Sequence, residues 1–180
     1  MPAGISQIWS APTPTGLLAV KEQVYDPAGF ICSDLLPEAE SAAYGAHTFR
    51  LDGAAVRARV ARLTPKKNGL FVTAWKRSPE GPTQPFGTAD LSLLVVTTRE
   101  GRHFGHFAFP TEVLLRHGII GPVAGTGKRG FRVYPPWTRP DSPQAARTAA
   151  WQLPHFLTLH QTLDRTVDPE LARALYNRAW

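Results

Sequence analysis

Carboxylates that could hold a catalytic metal are sparse in this chain. A metal-dependent nuclease needs two or three acids around a divalent cation, with a lysine beside them. The strand-rich middle of the sequence offers Asp90, Glu100 and Glu112, but it has no pair of acids at the spacing from a lysine that such a site requires. We therefore expect Asp90 to be structural, with its carboxylate hydrogen-bonded to nearby backbone.

Other reactive side chains stand alone. Cys32 is the one cysteine of the chain, which excludes an internal disulfide and a cysteine-rich zinc site and suits a reducing cytosol. We expect it to be a buried, structural thiol. His103 and His106 are three residues apart on a predicted strand, so their side chains point to opposite faces and are not expected to share an ion. We predict no catalytic residue, no metal and no cofactor.

The segment 125–130 (GTGKRG) matches the dinucleotide-binding pattern G-x-G-x-x-G. That pattern binds phosphate where it follows a strand and opens a helix. Here it leads into a predicted strand, and it lacks the Lys-Ser or Lys-Thr ending of a P-loop. We instead predict a mobile, basic loop that can approach a phosphate backbone.

Positive charge is concentrated in two windows of the sequence, although the net charge is only +6. Seven Lys or Arg and no acid lie between Gly53 and Pro79, and five more lie between Val113 and Pro140, again without an acid. The windows together carry +12, whereas the eight basic and fourteen acidic residues elsewhere carry −6. If the windows meet in space, they form a positive face suited to a polyanion. The alternative is two separate solvated faces.

Aromatic residues are interleaved with these cations. Lysine and arginine can neutralise phosphates, and rings can stack on unpaired bases. We expect Phe71 and Phe131 to be core residues, and Tyr134 and Trp137 to be candidates for stacking. The predicted nucleic-acid-binding residues are Lys66, Lys67, Trp75, Lys76, Arg77, Lys128, Arg129, Arg132, Tyr134 and Trp137.

The elements that must position these residues are predicted from periodicity and from turn and capping residues. Helices are predicted over 15–25, 34–44, 111–117, 142–152 with a continuation to 164, and from 168 onwards, where Leu171, Ala174 and Leu175 are expected to face inward. Strands are predicted over 47–51, 54–63, 70–77, 90–98, 102–109 and 131–134, with a hairpin turn at 52–53 and loops over 64–69 and 78–87. This order predicts an α/β fold, a mixed central β-sheet flanked by helices, in a single domain spanning 1–180.

Targeting and membrane signals are not visible in the sequence. The first twenty residues lack a basic segment followed by an apolar run. The longest strongly apolar stretch, near 93–96, is far shorter than the roughly 20 residues that a membrane span needs. We expect a cytoplasmic protein that does not bind membranes; the oligomeric state stays open.

Several unusual strings occur in order along residues 49–156. They are LTPKKNGLFVTAWKR at 63–77, FAFP at 107–110, GKRGFRVYPPW at 127–137 and WQ at 151–152. In this order they resemble the MepB family. The resemblance implies a fold similar to that of the PD-(D/E)XK endonucleases without their catalytic residues. It also implies binding of RNA or single-stranded DNA, with a link to stress or drug response.

This sequence agrees with a degenerate nuclease site. If Asp90 stands at the position of the first acid, FAF at 107–109 stands where an acid-x-Lys triplet would be expected, and the loop at 87–92 is poorer in aspartate than the family's. The leading hypothesis is a non-catalytic binder of RNA or single-stranded DNA. One alternative is a metal-dependent nuclease, or a hydrolase of nucleotides or nucleoside analogues, that uses Asp90, Glu112 and Lys128. Another is a module that binds an acidic protein partner.

Overall fold

A computed structural model describes residues 4–10 and 12–177. The strands are β1 (Leu36–Pro37), β2 (His47–Leu51), β3 (Ala54–Val60), β4 (Arg62–Thr64), β5 (Lys67–Thr73), β6 (Trp75–Arg77), β7 (Thr83–Pro85), β8 (Leu93–Glu100), β9 (His103–Pro110), β10 (Gly130–Val133) and β11 (Phe156–Thr158). The α-helices are α1 (Thr15–Val20), α2 (Thr111–Arg116), α3 (Pro143–Gln152) and α4 (Pro169–Tyr176). A π-helical turn, Lys21–Tyr25, continues α1.

The main sheet has six strands in the order β1-β2-β3-β8-β9-β11. Its β3 and β8 strands are parallel, and the other neighbours are antiparallel. The tight turn between β2 and β3 has positive φ at both Asp52 (49°) and Gly53 (85°). That backbone conformation matches the twist of a two-residue hairpin, so the predicted turn is confirmed, as is the predicted mixed α/β architecture.

The central strand β8 is covered on both faces. Leu93 and Val95 belong to one hydrophobic core, whereas Leu94 and Val96 belong to a second core. Because neither face meets water, apolar side chains occupy both faces of the strand and do not alternate with polar ones. The predicted coverage of both faces is thus confirmed. The first core is completed by α1, the π-helical turn and α4, and the second by α2 and a smaller sheet.

The smaller sheet brings the two basic windows together. It has three strands in the order β10-β5-β4, and β6 pairs separately with β7. The antiparallel pairing of β10 with β5 places Gly130 opposite Thr73 and Val133 opposite Leu70. Leu70, Val72, Phe131 and Val133 point from this sheet into the second core. The opposite faces of these two strands therefore lie outside this core.

Two predicted helical segments are strands or tighter turns. The segment predicted as a helix over 34–44 forms β1, which pairs with β2, followed by a 3₁₀ turn over Ala39–Tyr44. After α3, a 3₁₀ turn over Leu153–His155 leads into β11, which extends the main sheet beside β9. Phe156 lies 4.9 Å from Phe107, centroid to centroid. The apolar spacing after α3 is that of a helix, but hydrogen bonds to the open edge of β9 and this contact with Phe107 stabilise a strand instead.

Smaller differences concern ends of elements and helix orientation. The predicted loops over 64–69 and 78–87 contain the start of β5 and the whole of β7. In α4, Leu175 is buried as predicted, but Leu171 and Ala174 are exposed, and Ala172 and Tyr176 face the core instead. No described helix is both long enough and apolar enough to cross a membrane.

Candidate functional site

A groove of about 560 Å³ lies between the smaller sheet and α3. Its walls come from β5, β10, the end of α2 and α3. The lining residues are Lys67, Asn68, Phe71, His117, Ile119, Lys128, Gly130, Phe131, Arg132, Tyr134, Asp141, Ser142, Gln144, Ala145, Thr148 and Trp151. They include three lysines or arginines and one acid, so the groove is cationic.

Arg132 is the most firmly placed of these cations. Its Nη1 donates to the carbonyls of Asn68 (3.2 Å) and Gly69 (3.3 Å), and its Nη2 donates to Oγ1 of Thr64 (2.7 Å). The guanidinium carbon also lies 5.9 Å from the centre of the Phe71 ring. All these partners are neutral, so they orient the guanidinium without cancelling its charge.

Lys67 and Lys128 are exposed at the groove, and no ion pair joins either of them to a carboxylate within the described ranges. Lys67 begins β5. Lys128 is held by its backbone, because its N–H donates to the carbonyl of Ile119 (2.9 Å). The backbone of both residues is therefore hydrogen-bonded, and their side chains can reach an anion in the groove.

The glycine-rich loop before β10 is packed closely against the segment 119–121 at Gly127. A Cβ on Gly127 would lie 2.6 Å from the carbonyl oxygen of Ile119 and 2.8 Å from Cα of Ile120. Gly121 and Gly125 donate to the carbonyls of Phe86 and Pro85. Glycine is needed here so that backbone can pack on backbone.

The aromatic wall of the groove includes a stacked pair. His117 lies 4.3 Å from Trp151, with an angle of 5° between the ring planes. Trp151 is in turn tilted against Phe109, at 5.5 Å. Desolvation lowers the pKa of His117, and Arg116 lowers it further. Neither ring of the pair was predicted as a site residue: Trp151 belongs to the strings that resemble the MepB family, but nothing in the sequence around His117 marks it.

Tyr134 lies in the groove as a buried ring. It packs against Gly69, where a Cβ would lie 2.8 Å from Cε1 of the tyrosine. Its backbone N–H donates to Oε1 of Gln152 (2.8 Å), and Nε2 of the same glutamine donates to the carbonyl of Arg132 (2.8 Å). Gln152 therefore ties the end of β10 to α3. Desolvation raises the pKa of Tyr134.

The first turn of α3 is part of the lining of the groove. Ser142 caps the helix, with its Oγ accepting from the N–H of Ala145 (3.1 Å), and Pro143 follows it. This local signal was predicted and is confirmed. The single acid of the lining, Asp141, precedes the cap. The partial positive charge of a helix N-terminus adds to the field of the groove cations.

The structure divides the ten predicted binding residues into two sets. The groove brings together Lys67, Lys128, Arg132 and Tyr134. The residues that lie outside its lining are Lys66, Trp75, Lys76, Arg77, Arg129 and Trp137. Proximity in the sequence did not distinguish the two sets, because Trp75, Lys76 and Arg77 lie on β6, which pairs with β7 and is not part of the smaller sheet.

Several residues of the second set are engaged elsewhere. Lys76 forms an ion pair with Asp90. Arg129 donates to the carbonyl of Thr83 (2.7 Å), which ties the glycine-rich loop to β7. Trp137 stacks on His103 at 5.0 Å. The charge of Lys76 is therefore already compensated by the carboxylate of Asp90.

The carboxylate of Asp90 has a structural role, as predicted. Its Oδ2 accepts from the backbone N–H of Gly87 (2.8 Å), and its Oδ1 pairs with Lys76. Glu112 is exposed in the first turn of α2, on a different element. Neither acid lines the groove beside Lys128. Within 4–10 and 12–177, no group of three or more His, Cys, Asp or Glu is arranged to hold a metal ion.

Two arginines of the first basic window, the half-buried Arg57 and the buried Arg59, form an ion-pair network with an acid, so they do not add uncompensated charge to a positive surface. Glu38 pairs with both Arg57 and Arg59, and its Oε2 lies 2.7 Å from Nη2 of Arg59. The side chain of Arg59 is 0% exposed. Burial lowers the pKa of Arg59, and the carboxylate of Glu38 opposes that shift. Part of the charge in this window is therefore neutralised by an acid outside it.

Cys32 and His106 are buried in the first core. Burial raises the pKa of the Cys32 thiol to about 12, which agrees with the prediction of a structural cysteine. His106 and Tyr176 are joined by a hydrogen bond (2.9 Å), and the Tyr176 hydroxyl is joined to that of Tyr25 (2.9 Å). His103, by contrast, is exposed, so the two histidines lie on opposite sides of β9.

The fold and the groove define a mixed α/β domain with a cationic, partly aromatic groove. A family model described as MepB-like matches residues 38–158, and the chain belongs to that family. A solved structure described as "Crystal Structure of MepB" is 33% identical in sequence, with a TM-score of 0.67. The match covers 71% of this chain and 86% of that chain. No curated protein matches this chain.

Proposed function

We propose that this protein binds RNA or single-stranded DNA in the groove without cleaving it. One observation carries the proposal: the pairing of β10 with β5 brings cations from both basic windows into one groove that has a single acid in its lining. Arg132 in particular has only neutral hydrogen-bond partners among the described residues. An uncompensated, oriented guanidinium is a strong ligand for phosphate.

The form of the groove favours single strands over duplexes. Its volume of about 560 Å³ is in the range that holds small molecules, roughly 300–1,000 Å³, so it fits individual nucleotides. The aromatic rings in its wall can contact only bases whose faces are free. In a duplex those faces are covered by neighbouring base pairs, so an unpaired segment is the better ligand.

A binding role fits these residues better than a nuclease role. The fold implied by the family resemblance is that of the PD-(D/E)XK endonucleases, whose chemistry needs converging acids. Here Asp90 is paired with Lys76, and Glu112 lies on the surface of α2. The three residues of the nuclease or hydrolase hypothesis are thus spread over different places, with only Lys128 at the groove.

The proposal is tested by the salt dependence of binding. Each phosphate contact with a single strand contributes about −0.7 to the slope of log K against log salt, so the three groove cations predict a slope of about −2. Replacing both Lys67 and Lys128 by alanine should reduce the slope to about −0.7. Arg165→Ala, which removes an exposed cation outside the groove, should leave it unchanged. Fluorescence anisotropy with a labelled oligonucleotide measures all three.

Other outcomes would point elsewhere. If the double variant binds with the same salt dependence as the wild type, the oligonucleotide does not bind in the groove. Displacement of the oligonucleotide by a poly-glutamate peptide at equal or lower concentration would indicate an acidic protein partner. Cleavage of the oligonucleotide with Mg²⁺ or Mn²⁺, lost in Asp90→Ala, would establish the nuclease alternative.

A further inference from the structure

His117 has one ring face covered and lines the groove. The covered face is stacked on Trp151, and the Trp151 ring is tilted against Phe109 of the second core, at 5.5 Å between centroids. His117 itself is half-buried. Since the indole occupies one side of the imidazole, the part of the ring that can meet a ligand is the opposite face.

The backbone holds this imidazole in a defined position. His117 is the C-terminal cap of α2, and its N–H donates to the carbonyl of Val113 (3.1 Å). Gly118 follows with φ of 69° and donates to the carbonyl of Leu115 (3.1 Å). Desolvation and Arg116 lower the pKa of the ring, so it is the uncharged form that stands in the groove at neutral pH.

The same groove holds Lys67, Lys128 and Arg132. A flat, uncharged ring beside cations is complementary to a ligand that carries both an aromatic face and a phosphate. We propose that His117 is the stacking platform for an unpaired base, which becomes the third ring after Trp151 and the imidazole. The phosphates of the same strand are held by the three cations. This inference rests on the proposed function and names the residue that contacts the base.

The platform can be tested separately from the charge. An oligonucleotide with 2-aminopurine reports stacking through quenching, and an oligonucleotide of the same length with abasic sites reports phosphate contacts alone. Removing a stacking ring costs about 5-fold to 150-fold in affinity. His117→Ala should therefore weaken binding of the base-bearing strand by that factor and abolish the quenching, with little effect on the abasic strand. His117→Phe should retain both.

His103 offers a matched control. It is also a histidine stacked on a tryptophan, at 5.0 Å from Trp137, but it lies outside the groove. His103→Ala should leave affinity and quenching unchanged. Equal melting temperatures of the variants would show that the fold is intact.

Each contrary result has a distinct meaning. If His117→Ala binds the base-bearing strand as tightly as the wild type, or weakens both strands equally, the platform is refuted while binding in the groove stands. If His103→Ala loses the quenching, stacking occurs at Trp137 and the inference is overturned. If the wild type binds neither strand, the proposed function itself fails.

Discussion

Glu38 forms an ion pair with the buried guanidinium of Arg59, and replacing Glu38 should destabilise the domain strongly. Arg59 is fully buried, with Nη1 donating to the carbonyl of Ala58 (2.9 Å) and Nη2 to that of Trp75 (3.2 Å). The guanidinium also lies over the ring of Phe86, at 5.4 Å. The Glu38 carboxylate supplies the opposite charge at this position, and Glu38→Gln removes that charge while keeping the size of the side chain.

The cost follows from the burial of Arg59. Breaking a buried ion pair by removing one partner costs about 3–5 kcal/mol, because the remaining charge is left uncompensated. Domains of this kind unfold with a total of about 5–15 kcal/mol, so the loss is a large share of the stability. With a urea dependence of about 2 kcal/mol per molar, the unfolding midpoint of Glu38→Gln should fall by about 1.5–2.5 M.

Urea unfolding followed by tryptophan fluorescence measures this shift. Glu80→Gln, at an exposed turn position, is the matched control and should change the free energy of unfolding by less than about 0.5 kcal/mol. Adding Arg59→Met to Glu38→Gln should restore part of the loss, because it removes the unpaired charge. A midpoint for Glu38→Gln within the range of the control would refute the reasoning.

Two further predictions concern the glycine-rich loop and the buried histidine. Gly127→Ala should lower the free energy of unfolding by about 1–3 kcal/mol, because the new methyl group would press on the backbone of Ile119. Gly4→Ala, where the methyl group meets only ordinary contacts, is the control. Equal melting temperatures of the two variants would contradict the packing argument. Burial lowers the pKa of His106 from 6.5 to about 3, so below pH 6.5 the unfolded chain binds a proton that the folded protein does not. This group alone should therefore lower the free energy of unfolding by about 2 kcal/mol between pH 7 and pH 5. In His106→Gln that contribution should be absent. If urea titrations give the variant the same pH dependence as the wild type, the assignment to His106 is contradicted.

Local signals predicted the elements that depend on a few neighbouring residues. The hairpin turn at Asp52-Gly53 requires positive φ, and the start of α3 requires the Ser142 cap followed by proline. The central position of β8 was also evident, because a strand covered on both faces is apolar throughout. These features are decided by backbone conformation and by burial of adjacent side chains, so they can be read from short segments.

Features that depend on distant partners were missed. The segment after His155 has apolar spacing that also suits a helix, yet it forms β11 because the edge of β9 offers hydrogen bonds. Arg59 was counted as part of a positive face, but Glu38 lies outside that window and neutralises it. The pairing of His117 with Trp151 joins two helices, and no pattern within either helix indicates it.

The sequence by itself determined that charge would be concentrated in two windows, that rings would accompany it, and that the chain would form a mixed α/β fold of the MepB-like family. Only the tertiary structure decided which of those charges share a groove. Hydrogen bonding between β10 and β5 joins the windows, and side-chain alternation on those strands sends some residues inward and others into the groove. That outcome depends on strand register, because a shift of one residue would exchange the two faces.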